Sequence, residues 1–209
     1  QTAMTAIHDV LSAIRLVGNV TNIEELRHCY SKLLAAIGTY SMADRAYIFS
    51  CPSLEKPILK MTGAWCREGM APIVDLIQSL TMDDMPSFGK RLWQGKPVIS
   101  TSWEKEWDLY PKEHEILKGQ GIHSLIVIPI QCQGRFNGYI GLDNPGLVMT
   151  ELVVKILTSV GRYLGRVKDN LLMLQKLEKK QDSLETTIQE LHQEKQYMEA
   201  LSIDYTSVY

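Results

Sequence analysis

The 209-residue sequence is short of the features that announce the simplest functions. Its four cysteines, Cys29, Cys51, Cys66 and Cys132, are widely spaced, with no CxxC pair and no Cys/His cluster, which supports neither a disulfide framework nor a zinc site and leaves four free thiols. Neither charge is in excess: 22 Lys+Arg stand against 24 Asp+Glu, a formal net charge of −2, so there is no basic footprint for nucleic acid or an anionic membrane. No window approaches the roughly 20 uninterrupted apolar residues that cross a bilayer. The start, Gln1 to Arg15, also lacks the basic-then-apolar order of a secretion signal. The expectation is a cytoplasmic protein without metal or cofactor. The chain begins without Met and stops at Ser207-Val208-Tyr209, which reads as a piece of a longer protein.

What is present is an ordinary globular composition, 45% hydrophobic, ordered by period. Ile7, Val10, Leu11, Ile14 and Val17 form one apolar helical stripe ended by Gly18-Asn19. Thr21-x-x-Glu24 predicts a capping box, followed by a second helix carrying Leu26, Cys29, Tyr30, Leu33, Leu34 and Ile37 and stopped by Gly38. From Ala43 the period falls to two, with Ala46, Ile48 and Ser50 on one side of a strand and Tyr47 and Phe49 on the other. Pro57 to Trp65 reads as its hairpin partner. Cys66 to Gln94 reads as a connection with short helices, where Ile73, Ile77 and Leu80 fit one helix and Asp84 to Trp93 another.

Val98 to Thr101 predicts a short strand, and Pro111 to Lys118 a short helix between a first-position proline and a capping Gly119. Ser124 to Gln131 and Phe136 to Asp143 flank Gln133-Gly134-Arg135 as a hairpin, its first arm too apolar for a strand wetted on both faces. Thr150 caps a long helix. Beyond Asn170 it turns heptad-like, with Leu177, Leu184, Leu191 and Met198 every seven residues and Leu174 and Ile188 at the intervening sites. Gln181 and Lys195 are polar members of that seam, and the flanking Glu and Lys residues are its solvated surface. A dimeric coiled coil is the simplest way to bury such a seam.

This order of elements resembles a GAF domain. The resemblance is carried by Leu33-Leu34-Ala35-Ala36-Ile37-Gly38 leading into Ala43-Asp44-Arg45-Ala46-Tyr47-Ile48-Phe49, by Gly121 to Ile130 (GIHSLIVIPI) and by Gly138 to Pro145 (GYIGLDNP). These strings look like GAF domains of bacterial sensors that end in a diguanylate cyclase (GGDEF) output, and the tail from Leu201 to Tyr209 resembles the approach to a PAS-like or GGDEF domain. No GGDEF or EAL string occurs, so this chain is not expected to be an enzyme by itself.

The resemblance implies an α+β fold, a GAF-like antiparallel sheet of about five to six strands flanked by N-terminal helices and a long C-terminal helix. The implied division is an N-terminal helix (1–20), a GAF domain (21–168), a signalling coiled-coil helix (169–201) and the start of a further domain (202–209). GAF pockets lie on one sheet face beneath connecting loops, so Trp65, Trp93, Tyr47, Cys66, His123 and Asp143 are candidate ligand contacts, with Trp103 and Trp107 behind them. The cyclic-nucleotide Asn-Lys…Phe…Asp-Glu signature is not matched by Asp143 to Glu151, and no cysteine is followed by the histidine of a bilin-binding site. Asp143 is then expected to organise a turn by accepting backbone N–H bonds.

His114-Glu115 lacks the second His of a metalloprotease motif and reads as an exposed helix face, while Gly134, Gly138 and Gly141 make no phosphate loop. Gly161-x-x-x-Gly165 reads as close helix approach, at a dimer interface or against the domain's own helices. The expected function is sensory: a homodimer that takes an unknown small molecule and controls an output domain, with the dimer helix carried by Leu174, Leu177, Leu184, Ile188, Leu191 and Met198. A ligand-free dimerisation scaffold and a GAF-type methionine sulfoxide reductase acting through Cys66 are the alternatives.

Overall fold

The computed structural model describes residues 3–53, 55–72, 79–81, 83–102, 105, 109–146 and 150–206. The chain divides into two compact units, residues 1–169 and 170–209.

The first unit opens with α1 (Ala3–Gly18) and α2 (Ile23–Tyr40), packed on one another. The cap of α2 sits one residue later than the sequence suggests. Asn22 is the N-cap, its side chain accepting the Glu25 N–H at 2.9 Å, and the Glu25 carboxylate reaches back to the Thr21 N–H at 2.8 Å. Both frames satisfy the capping pattern, and Asn caps at least as well as Thr. The Glu25 carboxyl is held below its usual range, first by that backbone N–H and then by the Thr21 hydroxyl.

Six strands follow: β1 (Arg45–Ser50), β2 (Ile58–Cys66), β3 (Ser79–Thr81), β4 (Val98–Ser100), β5 (Leu125–Cys132) and β6 (Arg135–Asp143). They form one antiparallel sheet in the order β3-β2-β1-β6-β5-β4. Helices α3 (Pro86–Trp93) and α4 (Pro111–Gly119) lie in the connections, and α5 (Thr150–Thr206) closes the chain. This is the expected α+β arrangement with one strand more than the sequence resolved. Strand β3 is three residues long and has only Leu80 buried, too little alternation to read. Leu80, read into a helix with Ile73 and Ile77, lies in this strand instead, and the other two fall outside the described residues. The β5–β6 turn is set by Gln133 (φ 54°) and Gly134 (φ 71°), the two left-handed residues of a type I′ hairpin.

Both faces of the central strands are covered, which is why β1 is buried at every position. One face meets the helices. Ala46, Ile48, Ile140, Leu142, Ile126 and Ile128 share it through the ladder register. A methyl group on Gly63 would run into Tyr30 and Leu34 of α2, and one on Gly161 would touch Ile128 and Ile140. The other, distal face is an apolar cluster of Tyr47, Phe49, Leu59, Tyr139, Val127 and Leu125, closed by Phe88 and Leu92 of α3. Burial of apolar area on both sides is the main source of stability here, at roughly 25 cal/mol per Å².

The glycine pair of α5 serves the helix face rather than a helix pair. Gly165 lies so close to β5 that a Cβ there would overlap the Gln131 carbonyl oxygen, whereas at Gly161 the nearest atom is the Ile128 Cγ2 at 3.3 Å. Small residues allow α5 to approach the sheet backbone, a reason the spacing alone does not distinguish from helix–helix contact.

In the second unit α5 continues as one helix through Thr206, beyond residue 201 where the sequence reading ends it, with no Gly or Pro to stop it. Leu174, Leu177, Leu184, Ile188, Leu191 and Met198 are all exposed, Leu184 by 62%. Local pairs at i,i+4, Gln181 with Glu185 at 3.0 Å and Lys195 with Glu199 at 3.7 Å, are solvent-facing and worth tenths of a kcal/mol each.

An alanine at a helical glycine ordinarily gains about 1 kcal/mol. Gly165→Ala is expected to reverse that sign and cost about 1–3 kcal/mol in urea unfolding, because the methyl meets backbone that cannot move aside. Gly161→Ala stays within about 1 kcal/mol of wild type, since the Ile128 methyl yields and the propensity gain offsets the contact. A stabilised Gly165→Ala protein would contradict the close approach.

Candidate functional site

The distal face is lined by three rings from adjacent strands. Phe49 stacks on Tyr139 at 5.1 Å between centroids and 25° between planes, while Tyr47 meets each of them edge-on at 5.9 and 6.3 Å. Gly141, opposite Tyr47 in the β1–β6 ladder, leaves room for the Tyr47 ring, because a Cβ there would overlap it. On the far side of the cluster, Phe88 of α3 meets Tyr110 at 4.9 Å.

A buried polar group stands at the end of this aromatic floor. Arg45 and Asp143 are paired residues of the β1–β6 ladder, 3% and 0% exposed, with Arg45 Nη1 3.4 Å from Asp143 Oδ2. The Tyr47 hydroxyl donates to Asp143 Oδ1 at 2.8 Å. The Arg45 guanidinium also donates from Nε to the Ala71 carbonyl at 2.9 Å and from Nη1 and Nη2 to the Gln120 carbonyl at 3.4 Å. One side chain thus holds the segment after β2 and the turn after α4 to the centre of the sheet. Burial pushes the Asp143 carboxyl up to about 6, against the downward pull of the Tyr47 hydroxyl and the Arg45 charge. The Tyr47 phenol is raised well above its usual range by burial and by the neighbouring Asp143 charge.

The turn that the sequence assigns to Asp143 is organised by its neighbour. Asn144, in the left-handed region at φ 49°, accepts the His123 and Ser124 N–H groups at 2.7 and 3.1 Å and donates to Asp44 Oδ2 at 2.8 Å and the Gly121 carbonyl at 2.9 Å. The Asp143 carboxylate is turned instead to Arg45 and Tyr47.

Two more polar side chains tie the unit together, and neither was singled out from sequence. Glu113 on α4, 2% exposed, accepts the Ser87 N–H and, at 3.0 Å, the Phe88 N–H, capping α3, whose own N-cap residue Met85 has no capping side chain. Its second oxygen, Oε2, and the Ser100 hydroxyl are buried without a hydrogen-bond partner among the described residues. Lys168, on the part of α5 within the first unit, donates to Asn137 Oδ1 at 2.6 Å, and burial lowers its pKa.

The structure brings some of the expected site residues together and separates others. Tyr47 and Asp143 share the distal face in direct contact, and Cys66, half-buried, is the ladder partner of Arg45. Trp65 lies on the opposite face: its ring fills the space over Gly38 of α2, as alternation from Cys66 requires. Trp93 is 40% exposed at the end of α3 and leans on Phe136 at 5.5 Å. His123 is exposed and joins the site only through its backbone N–H.

His114, read as exposed, is buried, because α4 turns the Glu113–His114 side inward to reach α3. Trp103 and Trp107 lie outside the described residues. All four cysteines are free thiols, and burial raises the pKa of Cys29 and Cys51, which disfavours their thiolates. Histidine and cysteine are adjacent only in reversed order, His28-Cys29, on the outer side of α2.

A GAF domain family model matches residues 25–167, more than half of the chain, and the chain belongs to the GAF domain family. It is 29% identical over 116 residues to the methanogenesis regulatory histidine kinase FilI of Methanothrix harundinacea (strain 6Ac), a match covering 54% of this chain and 13% of the kinase. The chain therefore corresponds to a small part of that relative's length. The phycoerythrobilin-bound GAF domain of a cyanobacterial phytochrome superposes with a TM-score of 0.64 at 14% identity, over 84% of this chain and 98% of that one. The bacteriophytochrome RpBphP3 of R. palustris gives 0.65 at 14% identity, over 85% and 39%, and the A. aeolicus nlh2 GAF domain in an inactive state gives 0.56 at 14%, over 78% and 95%. At these identities the likeness is one of fold. Among the described residues no helix is long and apolar enough to cross a membrane, and no three metal-ligating side chains converge.

Asp143→Leu is expected to cost about 3–5 kcal/mol, because it removes the acceptor facing the buried Arg45 guanidinium and Tyr47 hydroxyl, and Tyr47→Phe about 1 kcal/mol; Asp143→Asn, which keeps an acceptor but does not titrate, serves as the reference for pH. The pH dependence has a definite sign. A carboxyl raised from 3.8 to about 6 by folding binds more protons folded than unfolded, so its contribution is full below pH 3.8 and is lost as pH rises through about 6. Urea midpoints taken across that window fall for wild type relative to Asp143→Asn; parallel curves would contradict the assignment.

Proposed function

We propose that this chain is the sensory and regulatory part of a longer signalling protein. In this reading the GAF domain binds a small molecule over its distal face, acts as a homodimer, and controls an output domain that follows α5. The output is a diguanylate cyclase on the strength of the ADRAYIF and GYIGLDNP strings, with a histidine kinase, the class of the FilI relative, as the competing output. The chain itself carries no catalytic step.

The observation that supports this best is the Arg45 clamp. A single buried guanidinium joins the sheet centre to the Ala71 and Gln120 carbonyls, so a ligand that moves either segment acts directly on strands β1 and β6. The aromatic floor of Tyr47, Phe49 and Tyr139 suits a flat or apolar ligand, and Glu113 Oε2 and Ser100 Oγ are buried polar atoms able to fix its orientation. Linkage requires that such a ligand favour one of two arrangements of the helices. A ligand-free scaffold is the second reading, favoured by the side-chain cluster that already packs the distal face.

A thermal-shift screen of the whole chain against flat metabolites and tetrapyrroles separates the two readings. The sensor predicts a saturable rise in Tm that Tyr139→Ala removes, and no response to any compound in a protein that dimerises supports the scaffold. Light scattering tests the dimer common to both: wild type at twice the chain mass, with Leu184→Lys shifted toward monomer. A wild-type monomer at high micromolar concentration would contradict both readings.

A further inference from the structure

Glu113 is 2% exposed, and its two carboxylate oxygens are used unequally. Oε1 accepts the Ser87 and Phe88 N–H groups at the start of α3, while Oε2 has no partner among the described residues. Ser100, also 2% exposed, has a hydroxyl in the same condition. It is the ladder partner of Leu125 and lies two residues from Val98, so its side chain shares the distal face with both. Phe88, whose N–H is held by Glu113, packs in the same cluster as Leu125 and Val98. The two unpaired atoms therefore border one region, where α3 and the start of α4 meet β4. A buried polar group without a partner is destabilising, and folded proteins keep few of them.

The surroundings select the sign of what binds there. No basic side chain among the described residues pairs with Glu113. Arg45, the basic residue on the distal face of β1, already meets Asp143 and the Ala71 and Gln120 carbonyls. An anionic group beside Oε2 would add a second unpaired negative charge, whereas a protonated nitrogen supplies a donor and a counter-charge at once. The rings point the same way. Phe88, bonded to Glu113 through its N–H, meets the Tyr110 ring at 4.9 Å, and an aromatic face attracts a cation.

We infer that the distal site takes a flat aromatic molecule carrying a protonated amine, whose N–H groups donate to Glu113 Oε2 and Ser100 Oγ while its ring lies among the aromatic side chains. Tyr110, half-buried just before α4, gives way to admit the ring. The inference rests on the ligand-binding reading above and adds to it the charge of the ligand and the two residues that hold that charge.

Isothermal titration calorimetry of the whole chain compares matched probes that differ only in the group ending an ethyl chain: tryptamine, tryptophol and indole-3-propionate, and the same three ends on a phenyl ring. The amine is expected to bind about tenfold or more tighter than the alcohol, the scale of one charge-assisted hydrogen bond, and the carboxylate not to bind. Glu113→Gln keeps an acceptor for the α3 N–H groups and removes the charge. Ser100→Ala removes a hydroxyl that has no partner among the described residues, so its melting by circular dichroism is expected to stay close to wild type. Loss of the amine preference in Glu113→Gln, with weaker amine binding in Ser100→Ala, supports the inference. Equal or tighter binding of the alcohol or the carboxylate overturns it and leaves ligand binding standing. Amine binding unchanged in both variants, or no saturable binding by any probe at millimolar concentration, also overturns it. The sensor reading falls only if the wider thermal-shift screen finds no ligand either.

Discussion

The contact between Arg45 and Asp143 is the constraint on which the first unit depends. Two opposite charges sit on paired positions of the two central strands, 3% and 0% exposed, in surroundings that penalise each of them alone. Desolvating an ion costs several kcal/mol, so the pair is tolerable only with further hydrogen bonds on both partners. The Tyr47 hydroxyl donates to one carboxylate oxygen, and the Ala71 and Gln120 carbonyls accept from Nε, Nη1 and Nη2 of the guanidinium. That requirement fixes more than one bond. It sets the β1–β6 register, turns the Tyr47 ring onto Gly141, and draws two connecting segments to one atom group, so the distal cap has a defined place above the aromatic floor.

From that centre the two faces diverge in kind. The helix face is aliphatic and closely approached, with Gly63 under Tyr30 and Gly165 against the Gln131 carbonyl, as a rigid support for α2 and α5 demands. The distal face is aromatic, bounded by short elements and threaded with buried polar atoms. A displacement of its connecting segments has a direct mechanical route through Arg45 to β1 and β6, and from Ile140 and Ile128 to α5 through the contact at Gly161. The Asn144 and Asp44 side chains brace the same end of the sheet from outside by joining the turns that precede β1 and follow β6.

Much of this architecture was legible in the sequence because local period and global packing agree. The switch from three-and-four spacing to alternation at Ala43, the hairpin around Gln133-Gly134 and the start of the long helix near Thr150 each report a physical demand of one short segment. The site was less legible because its geometry is made by partners distant in sequence. Trp65 and Cys66 are neighbours that strand alternation sends to opposite faces, and which residue faces the cap depends on the bulge between Ile48 and Phe49 in the β1–β2 ladder. Arg45 stood inside a string already recognised as family-like, yet its role follows only from the β1–β6 register, which sets it across from Asp143. Glu113 serves α3 from another helix, and no spacing within α4 signals that. Strand β3 was missed because three residues hold no period.

The most direct test of the central claim is a double-mutant cycle on Arg45 and Asp143, read by urea unfolding of the whole chain. With Arg45→Met, Asp143→Leu and the pair combined, the account predicts that each single change is severely destabilising and that the double variant is no worse than either single one, giving a coupling of about 2–3 kcal/mol. Additive costs, with no coupling beyond about 0.5 kcal/mol, would show that the two charges do not depend on one another and that the sheet is organised by something else.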